Sequence, residues 1–405
     1  MKKFNKFLSV AVASAMVMAM AGCGNTDNGS AATGTNAATE SAAASDSAAS
    51  GSVFKIGGIG PTTGGAAVYG LAVQHGAEIA VEEINAAGGI NGYQVEFKFQ
   101  DDEADAEKSV NAYNALKDWG AQIIDGSTTS GACIAVTDKT KEDNMFQITP
   151  SGSAVECVQY DNNFRVCFSN PNQGLASAQY IGENGLAEKI AVIYDSSDVY
   201  SSGIYEKFAK EAENQPFEIV AAEAFTADNK TDFSVQLQKA KDAGADMVFL
   251  PIYYQESALI LTQAAAMGYA PKWFSCDGMD GILGGVDNFD VSLTEGVMLL
   301  TPFAADATDD LTQSFVTKYK EKYGDTPNQF AADSYDAIYV IKDAIEKSGV
   351  TPDMSVSDIC DGMKAAMTEI TVDGLTGSGM TWTADGEANK APKAVVIENG
   401  AYKAM

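Results

Sequence analysis

The stretch Phe54-Lys55-Ile56-Gly57-Gly58-Ile59 carries the apolar pattern of a buried strand. A helical pattern follows it and runs to Gly88-Gly89, a pair that typically ends a helix. Apolar residues recur every three or four positions on one face of that helix: Val73, Ala77, Ala80, Val81 and Ile84. A strand followed at once by an amphipathic helix is the repeating unit of a parallel sheet covered by helices.

The same unit recurs along the chain. In the first half, apolar runs predict strands at 95–99, 122–124 and 145–148 and a helix at 106–118. The pattern restarts near residue 189 and predicts strands at 189–194, 217–220, 247–250 and 273–274, with helices at 203–214, 232–243 and 256–267. A chain of 405 residues exceeds one typical core, so two α/β domains are expected. Ligands of such sheets bind beyond the carboxyl ends of the strands.

Composition excludes several classes of function. The formal net charge is −29, which argues against binding nucleic acid or adhering to anionic lipid through a basic patch. His75 is the one histidine and Arg165 the sole arginine. A histidine-based catalytic triad, a multi-histidine metal site and an arginine clamp for phosphate are therefore nearly excluded. We expect a protein that is not an enzyme and holds no metal or cofactor.

The first 52 residues differ from the rest. Residues 1–22 have the features of an export signal, with lysines at the start, an apolar run too short to span a bilayer, and Ala21-Gly22 at the cut. Met20-Ala21-Gly22-Cys23 resembles a bacterial lipobox, which implies lipid attachment at Cys23; a secretory signal with a coincidental cysteine is the alternative. Residues 23–52 are rich in Ala, Ser, Thr, Asn and Gly and are predicted to be a disordered linker. The expected location is extracytoplasmic, with a lipid anchor in the cell membrane.

Three loops carry groups that could bind a zwitterion. Hydroxyl-rich loops at 125–132 and 149–154 each follow a strand and precede a predicted helix, whose first N–H groups bind anions. Plain N-capping by the same residues is the alternative. Asp277 is a carboxylate in an otherwise uncharged loop, suited to pairing with an ammonium group, or else a turn residue bonding its own backbone. Loops at 60–65 and 101–105 lack the residues of a nucleotide or calcium site.

From about Val53 onward, the order and spacing of the motifs resemble the periplasmic leucine/isoleucine/valine-binding protein family, the type I substrate-binding components of ATP-driven amino-acid importers. The motifs are 56–61 with Tyr69-Gly70, 83–92, Phe164-Arg165 with 170–174, and 331–337. The resemblance implies two Rossmann-like lobes with parallel sheets, joined by a three-strand hinge near Asn170, Pro302 and Leu375. It places 53–170 with 302–376 in the N-terminal lobe and 171–301 with 377–405 in the C-terminal lobe.

The resemblance also implies a ligand site between the lobes. Carried over by position, Thr129 and Ser130 would hold the ligand carboxylate. The loop Ser151-Gly152-Ser153 would hold carboxylate and ammonium groups. Asp277 would pair with the ammonium group, where well-known members carry Glu. The aromatic positions of the pocket correspond to Tyr69, Tyr200, Tyr253 and Phe330.

The cysteines depart from the family pattern. Ala104 and Thr128 occupy the positions of a disulfide in well-known members, so that bridge is absent. Cys157 and Cys167 flank a short loop and could form a disulfide outside the membrane. Besides Cys23 the cysteines are odd in number, so at least one stays free and the pairing is open: Cys133, Cys157, Cys167, Cys276 and Cys360.

Together these features predict a monomeric lipoprotein that captures an amino acid, branched-chain or otherwise aliphatic, and delivers it to the permease and ATPase subunits of an ABC transporter. Two alternatives remain open. One is a ligand-sensing receptor with the same fold. The other is a binder of a related small ligand, such as an aromatic amino acid, an amide or urea.

Overall fold

The computed structural model describes residues 51–405. The export signal, Cys23 and residues 23–50 of the predicted linker therefore lie outside the described residues. None of the helices within 51–405 combines the length and the apolar character that crossing a membrane requires.

Strands and helices alternate through most of the described residues. The strands are β1 Phe54–Gly60, β2 Val95–Asp101, β3 Ile123–Asp125, β4 Phe146–Thr149, β5 Asn163–Arg165, β6 Lys189–Asp195, β7 Glu218–Phe225, β8 Met247–Leu250, β9 Lys272–Ser275, β10 Met298–Thr301, β11 Lys393–Glu398 and β12 Ala401–Ala404. The helices are α1 Ala67–Ala86, α2 Ala106–Trp119, α3 Ser130–Asp143, α4 Asn170–Glu183, α5 Val199–Ala212, α6 Ser234–Asp242, α7 Tyr254–Ala266, α8 Asp310–Tyr323, α9 Gln329–Ser348 and α10 Val356–Met367.

These strands form two sheets. The first has the order β2-β1-β3-β4-β5 and is parallel throughout, with Ile56 of β1 in register with Phe97 of β2 and Ile123 of β3. The second has the order β12-β11-β10-β9-β8-β6-β7 and is parallel from β10 to β7. The predicted α/β fold with two parallel sheets is confirmed. The C-terminal hairpin β11–β12 adds two antiparallel strands at the edge of the second sheet, which the sequence pattern did not predict.

Helices cover the first sheet and pack closely on one another. Helix α1 lies along α9, and a Cβ at Gly76 would overlap the carbonyl group of Ala331. Glycine at 76 therefore lets the two helix backbones approach. Helix α9 comes after β10 of the second sheet in sequence but packs on α1, which covers the first sheet. The chain therefore returns from the second sheet to the first between β10 and α9.

A buried ion pair ties the connections between the sheets. The Lys390 ammonium lies 2.6 Å from Asp333 of α9 and donates to the Val166 carbonyl, which directly follows β5. Asp336, one turn along α9, accepts from the backbone N–H groups of Leu375 and Thr376. Three stretches of chain that are far apart in sequence are thus held at one helix. The lobe boundaries given above stay a prediction.

Some local predictions were wrong. Helix α5 begins at Val199 rather than 203, because the Asp198 carboxylate accepts from the Tyr200 N–H and caps the helix earlier. The segment after 149–154 is a single 3-10 turn, Val155–Val158, and not an α-helix.

The proposed Cys157–Cys167 disulfide does not form in the structure. Both thiols are buried and free, as are the other cysteines among the described residues. The Cys157 sulfur faces α3, where it lies 3.7 Å from the Ser130 carbonyl oxygen and packs with Cys133 and Ala154.

Candidate functional site

Loops at the carboxyl ends of strands from both sheets meet around one small cavity. Its lining residues are Tyr69, Thr128, Thr129, Ser130, Ser151, Tyr200, Tyr253, Asp277, Gly278 and Phe330. Eight of the ten predicted ligand-binding residues are among them. The other two, Gly152 and Ser153, do not line the cavity and lie behind it, where the Ser153 N–H donates to the Ser130 hydroxyl.

One wall of the cavity is built from hydroxyl groups at the start of α3. The Ser130 Oγ accepts from the N–H groups of Ser153 and Ala154, each at 3.2 Å. The Ser151 hydroxyl donates to the Thr128 carbonyl at 2.7 Å. The Thr129 Oγ1 is buried and has no hydrogen-bond partner among the described residues. Because no side chain caps α3, its first N–H groups and this hydroxyl are available to an anion.

The opposite wall carries Asp277. Its carboxylate accepts from the Tyr200 hydroxyl at 2.6 Å and from the Gln173 amide at 2.8 Å. Burial raises the pKa of Asp277 to about 7, and the two hydrogen bonds oppose that rise. No lysine or arginine of residues 51–405 forms an ion pair with it. The carboxylate of Asp277 is thus held by side chains of α5 and α4, and an ammonium group would relieve its desolvation.

Aromatic rings fill the space between these walls. Tyr69 contacts Tyr253 and Phe330 with ring centroids 5.6 Å and 4.4 Å apart, and Tyr200 stacks on Tyr253 at 5.0 Å. The Tyr69 hydroxyl donates to the Gly278 carbonyl, which links α1 to the loop after β9. The enclosed volume is about 10 Å³, too small for an amino acid. A ligand can enter only if these rings and loops separate.

A larger space of about 360 Å³ adjoins the site across Thr129 and Tyr253, which line both. Its charged lining residues are Glu103, Asp195, Asp198, Lys230 and Glu256. Lys230 is paired with Glu256 at 3.0 Å and Glu103 with Lys108 at 2.5 Å, so Asp195 and Asp198 are the lining carboxylates that form no ion pair within residues 51–405. The approach to the site therefore attracts an ammonium group.

Two residues with important contacts were not assigned a role from the sequence. Gln173 holds Asp277 through its amide, and it lies in the 170–174 motif that carried the family resemblance. Arg165 is fully buried behind the Ser151–Ala154 loop and donates to the carbonyls of Gly152 and Ala154 at 3.1 and 2.8 Å. Its Nε lies 3.3 Å from Glu387. The sequence did contain one indication that Arg165 is important, because it is the sole arginine of a strongly acidic chain.

Comparison with known proteins agrees with this geometry. A family model described as periplasmic binding protein matches residues 53–401. A leucine-, isoleucine-, valine-, threonine- and alanine-binding protein of Pseudomonas aeruginosa is 30% identical over 302 residues, covering 73% of this chain and 78% of that protein. Leu/Ile/Val-binding protein homolog 3 of Brucella melitensis is 30% identical over 300 residues, covering 74% and 80%.

Solved structures give the same result. The branched-chain amino acid transporter substrate-binding protein of Streptococcus pneumoniae, in complex with isoleucine, superposes with a TM-score of 0.78 at 28% identity and covers 87% of this chain and 98% of its own. A leucine-binding protein of Thermotoga maritima superposes with a TM-score of 0.76 at 28% identity, with the same coverage.

Proposed function

The chain belongs to the periplasmic binding protein family, and we propose that it captures a branched-chain or other aliphatic amino acid outside the cytoplasmic membrane. The observation that carries this proposal is the placement of Asp277, a buried carboxylate without a cation, across one cavity from the uncapped start of α3. A zwitterion needs an acceptor for its ammonium group and a set of donors for its carboxylate, both facing the same cavity. An aliphatic side chain on the ligand is supported by the relatives, whose names give leucine, isoleucine and valine as ligands or whose structure contains isoleucine.

Each part of the ligand has a partner in this proposal. The carboxylate binds at the α3 start through Thr129, Ser130 and Ser151, while Ser153 supports Ser130 from behind the cavity. The ammonium group pairs with Asp277. The side chain lies among the rings of Tyr69, Tyr200, Tyr253 and Phe330, which move apart to admit it. Because the ligand contacts loops of both sheets, it stabilises the closed arrangement of the lobes.

We propose further that the closed form docks on the permease of an ABC transporter, with its ATPase supplying the energy. Lipid attached at Cys23 and the linker to residue 52 would keep the folded body near the membrane. The protein acts as a monomer, and its role is binding rather than catalysis, as in its family.

A second candidate is a neutral ligand such as an amide or urea. The raised pKa of Asp277 favours it, because at pH near 7 a substantial fraction of this carboxyl group is protonated and can donate a hydrogen bond. A further alternative is that the partner is a signalling receptor and not a permease. Titration of the liganded protein with the permease distinguishes these roles, since binding is expected only for the transport role.

Calorimetry on the full chain tests the ligand class, using leucine, isoleucine, valine, phenylalanine and leucinamide. We expect binding of an aliphatic amino acid, and a loss of about a hundredfold in Asp277→Asn, since a buried ammonium would lack its partner. Asp287→Asn, an exposed residue outside the cavity, is the matched control and should bind normally. No heat with any amino acid would contradict the assignment, and unchanged affinity in Asp277→Asn would favour the neutral ligand.

A further inference from the structure

A second cavity, of about 470 Å³, lies beside the candidate site and shares no lining residue with it. Gln329 lies between the two: its side-chain amide donates to the Asp277 carbonyl and its backbone N–H to the Asp280 carboxylate. Asp280 lines the second cavity. The volume falls within the range of small-molecule sites.

The deep end of this cavity carries a buried carboxylate without a cation. Asp280 is 4% exposed, and its Oδ2 accepts from the Gln329 N–H at 2.9 Å, whereas its Oδ1 has no partner within hydrogen-bonding geometry among the described residues. The neighbouring Tyr402 hydroxyl and Gly281 N–H also favour the ionised carboxylate and oppose the rise in its pKa that burial causes. No lysine or arginine of residues 51–405 forms an ion pair with Asp280. A buried carboxylate in this state is costly, and a cation would offset the cost.

The remaining walls add apolar surface and further negative charge. The apolar lining residues are Val68, Leu283, Phe303 and Ala305, and Tyr402 adds a ring whose hydroxyl accepts from the Gly281 N–H beside Asp280. Exposed Asp306 and Asp325 stand at the rim, opposed by one lysine of the lining, Lys320. With Asp280 ionised, three carboxylates face one ammonium group, so the charged lining is negative overall.

We propose that this cavity binds a small organic cation, an alkylammonium or alkyldiammonium ion. Its ammonium group pairs with the Asp280 carboxylate, and its carbon chain lies against Val68, Leu283 and Phe303. In a diammonium ion the second charge lies at the rim near Asp306 and Asp325. Neither an anion nor a neutral hydrocarbon fits this combination of one buried carboxylate and apolar walls.

Such a ligand would act on the amino-acid site. Val68 belongs to α1 of the first lobe, whereas Asp280 and Leu283 belong to the loop after β9 of the second sheet. A cation held between them therefore stabilises the same contact of α1 with that loop that the Tyr69–Gly278 hydrogen bond makes. Coupling of this kind is reciprocal, so each ligand tightens the binding of the other.

Calorimetry with n-butylammonium and 1,4-diaminobutane tests the proposal, with butan-1-ol as the uncharged match. We expect the wild-type full chain to bind both amines, and Asp280→Asn to weaken them by about tenfold or more. Asn at 280 keeps an acceptor for the Gln329 N–H. Asp287→Asn, in the same loop but outside the cavity, is the matched control. Asp277→Asn should leave amine binding intact, which separates this site from the amino-acid site.

A second variant covers the case in which Asp280→Asn does not fold. Ala401→Trp fills the cavity from the exposed hairpin, retains Asp280 and should abolish amine binding while amino-acid binding persists. Absence of amine binding in the wild type, equal binding of butan-1-ol, or amine binding that Ala401→Trp leaves unchanged would overturn the proposal. Amine binding without any amino-acid binding would support this site and contradict the proposed function alone.

Discussion

At the scale of single residues, the protonation of Asp277 decides whether the site can hold an ammonium group. Burial raises its pKa to about 7 in the unliganded protein. A bound ammonium stabilises the ionised form and lowers that pKa, so below pH 7 binding must release a proton. We predict that amino-acid affinity falls by up to about tenfold per pH unit below pH 7.

Calorimetry between pH 5.5 and 8.5, repeated in two buffers of different ionisation enthalpy, measures both the affinity and the released proton. The residual binding of Asp277→Asn should lose this pH dependence. An affinity that stays constant between pH 5.5 and 7 would contradict the ion pair.

Arg165 is the second residue whose substitution is informative. Its guanidinium holds the carbonyls of Gly152 and Ala154 and lies beside Glu387, so Arg165→Met leaves several buried groups unpaired. We predict a loss of about 2–4 kcal/mol in the free energy of unfolding, measured by urea denaturation, and weaker amino-acid binding. Lys139→Met removes an exposed ion pair with Glu142 and should change the unfolding little. Equal stability of Arg165→Met and wild type would exclude this role.

The site residues show what a sequence can predict at this scale. Eight of ten expected residues line one cavity. Thr129, Ser151 and Asp277 could be predicted because loops that follow parallel strands gather at one edge of a sheet, whereas Tyr69 and Phe330 lie on helices and were expected only from the family resemblance. No role was assigned to Arg165 or Gln173 from the sequence, because their roles depend on non-local contacts. Arg165 contacts Ala154, 11 positions away, and Gln173 contacts Asp277, 104 positions away, and no local sequence pattern indicates either contact.

At the scale of elements, α1 contacts the loop after β9, which belongs to the other sheet. Val68 packs against Gly281 and Gly285, and a Cβ at Gly285 would lie 2.6 Å from Val68 and 2.8 Å from the Gly281 carbonyl. We predict that Gly285→Ala weakens amino-acid binding by about tenfold, because the added methyl pushes α1 away.

Gly284→Ala is the matched control, since a Cβ there meets nothing within 4 Å. Val68→Ala in the Gly285→Ala background should recover part of the affinity. Stopped-flow dissociation of the amino acid measures the effect, and equal rates for the two alanine variants would show that the contact does not limit closure.

Local chemistry also explains which element boundaries were predictable. Strand β8 was predicted at its observed bounds, because its four apolar residues stand between Asp246 and Pro251. Helix α5 was predicted late because the capping role of Asp198 was missed, although the residue was visible in sequence. The pairing of β11 and β12 with β10 is non-local, and no helical or strand period near the C-terminus reveals which sheet they join.

At the scale of the whole molecule, several buried carboxylates form no ion pair within residues 51–405. Burial raises the pKa of Asp102 and Asp280 to about 6 and of Asp125 and Asp277 to about 7. An unfolded chain ionises the same groups near pH 4. The folded protein therefore binds more protons than the unfolded chain between pH 4 and 7, and its stability must fall as the pH rises through that window.

We predict that the unliganded protein unfolds at a higher temperature at pH 5 than at pH 8. The charge of −29 acts in the same direction, because repulsion grows as carboxyl groups ionise. Below pH 4 stability falls again, as groups with a lowered pKa such as Glu83 and Asp143 take up protons.

Calorimetric unfolding from pH 3.5 to 8.5 should thus show a maximum in the unfolding temperature near pH 4 to 5. Asp277→Asn should make the unfolding temperature fall less steeply from pH 5 to 8, because one buried carboxyl group no longer ionises. A bound amino acid should raise the unfolding temperature most at pH 8, where Asp277 is ionised. Stability that increases from pH 5 to 8 would contradict the unpaired state of these carboxylates.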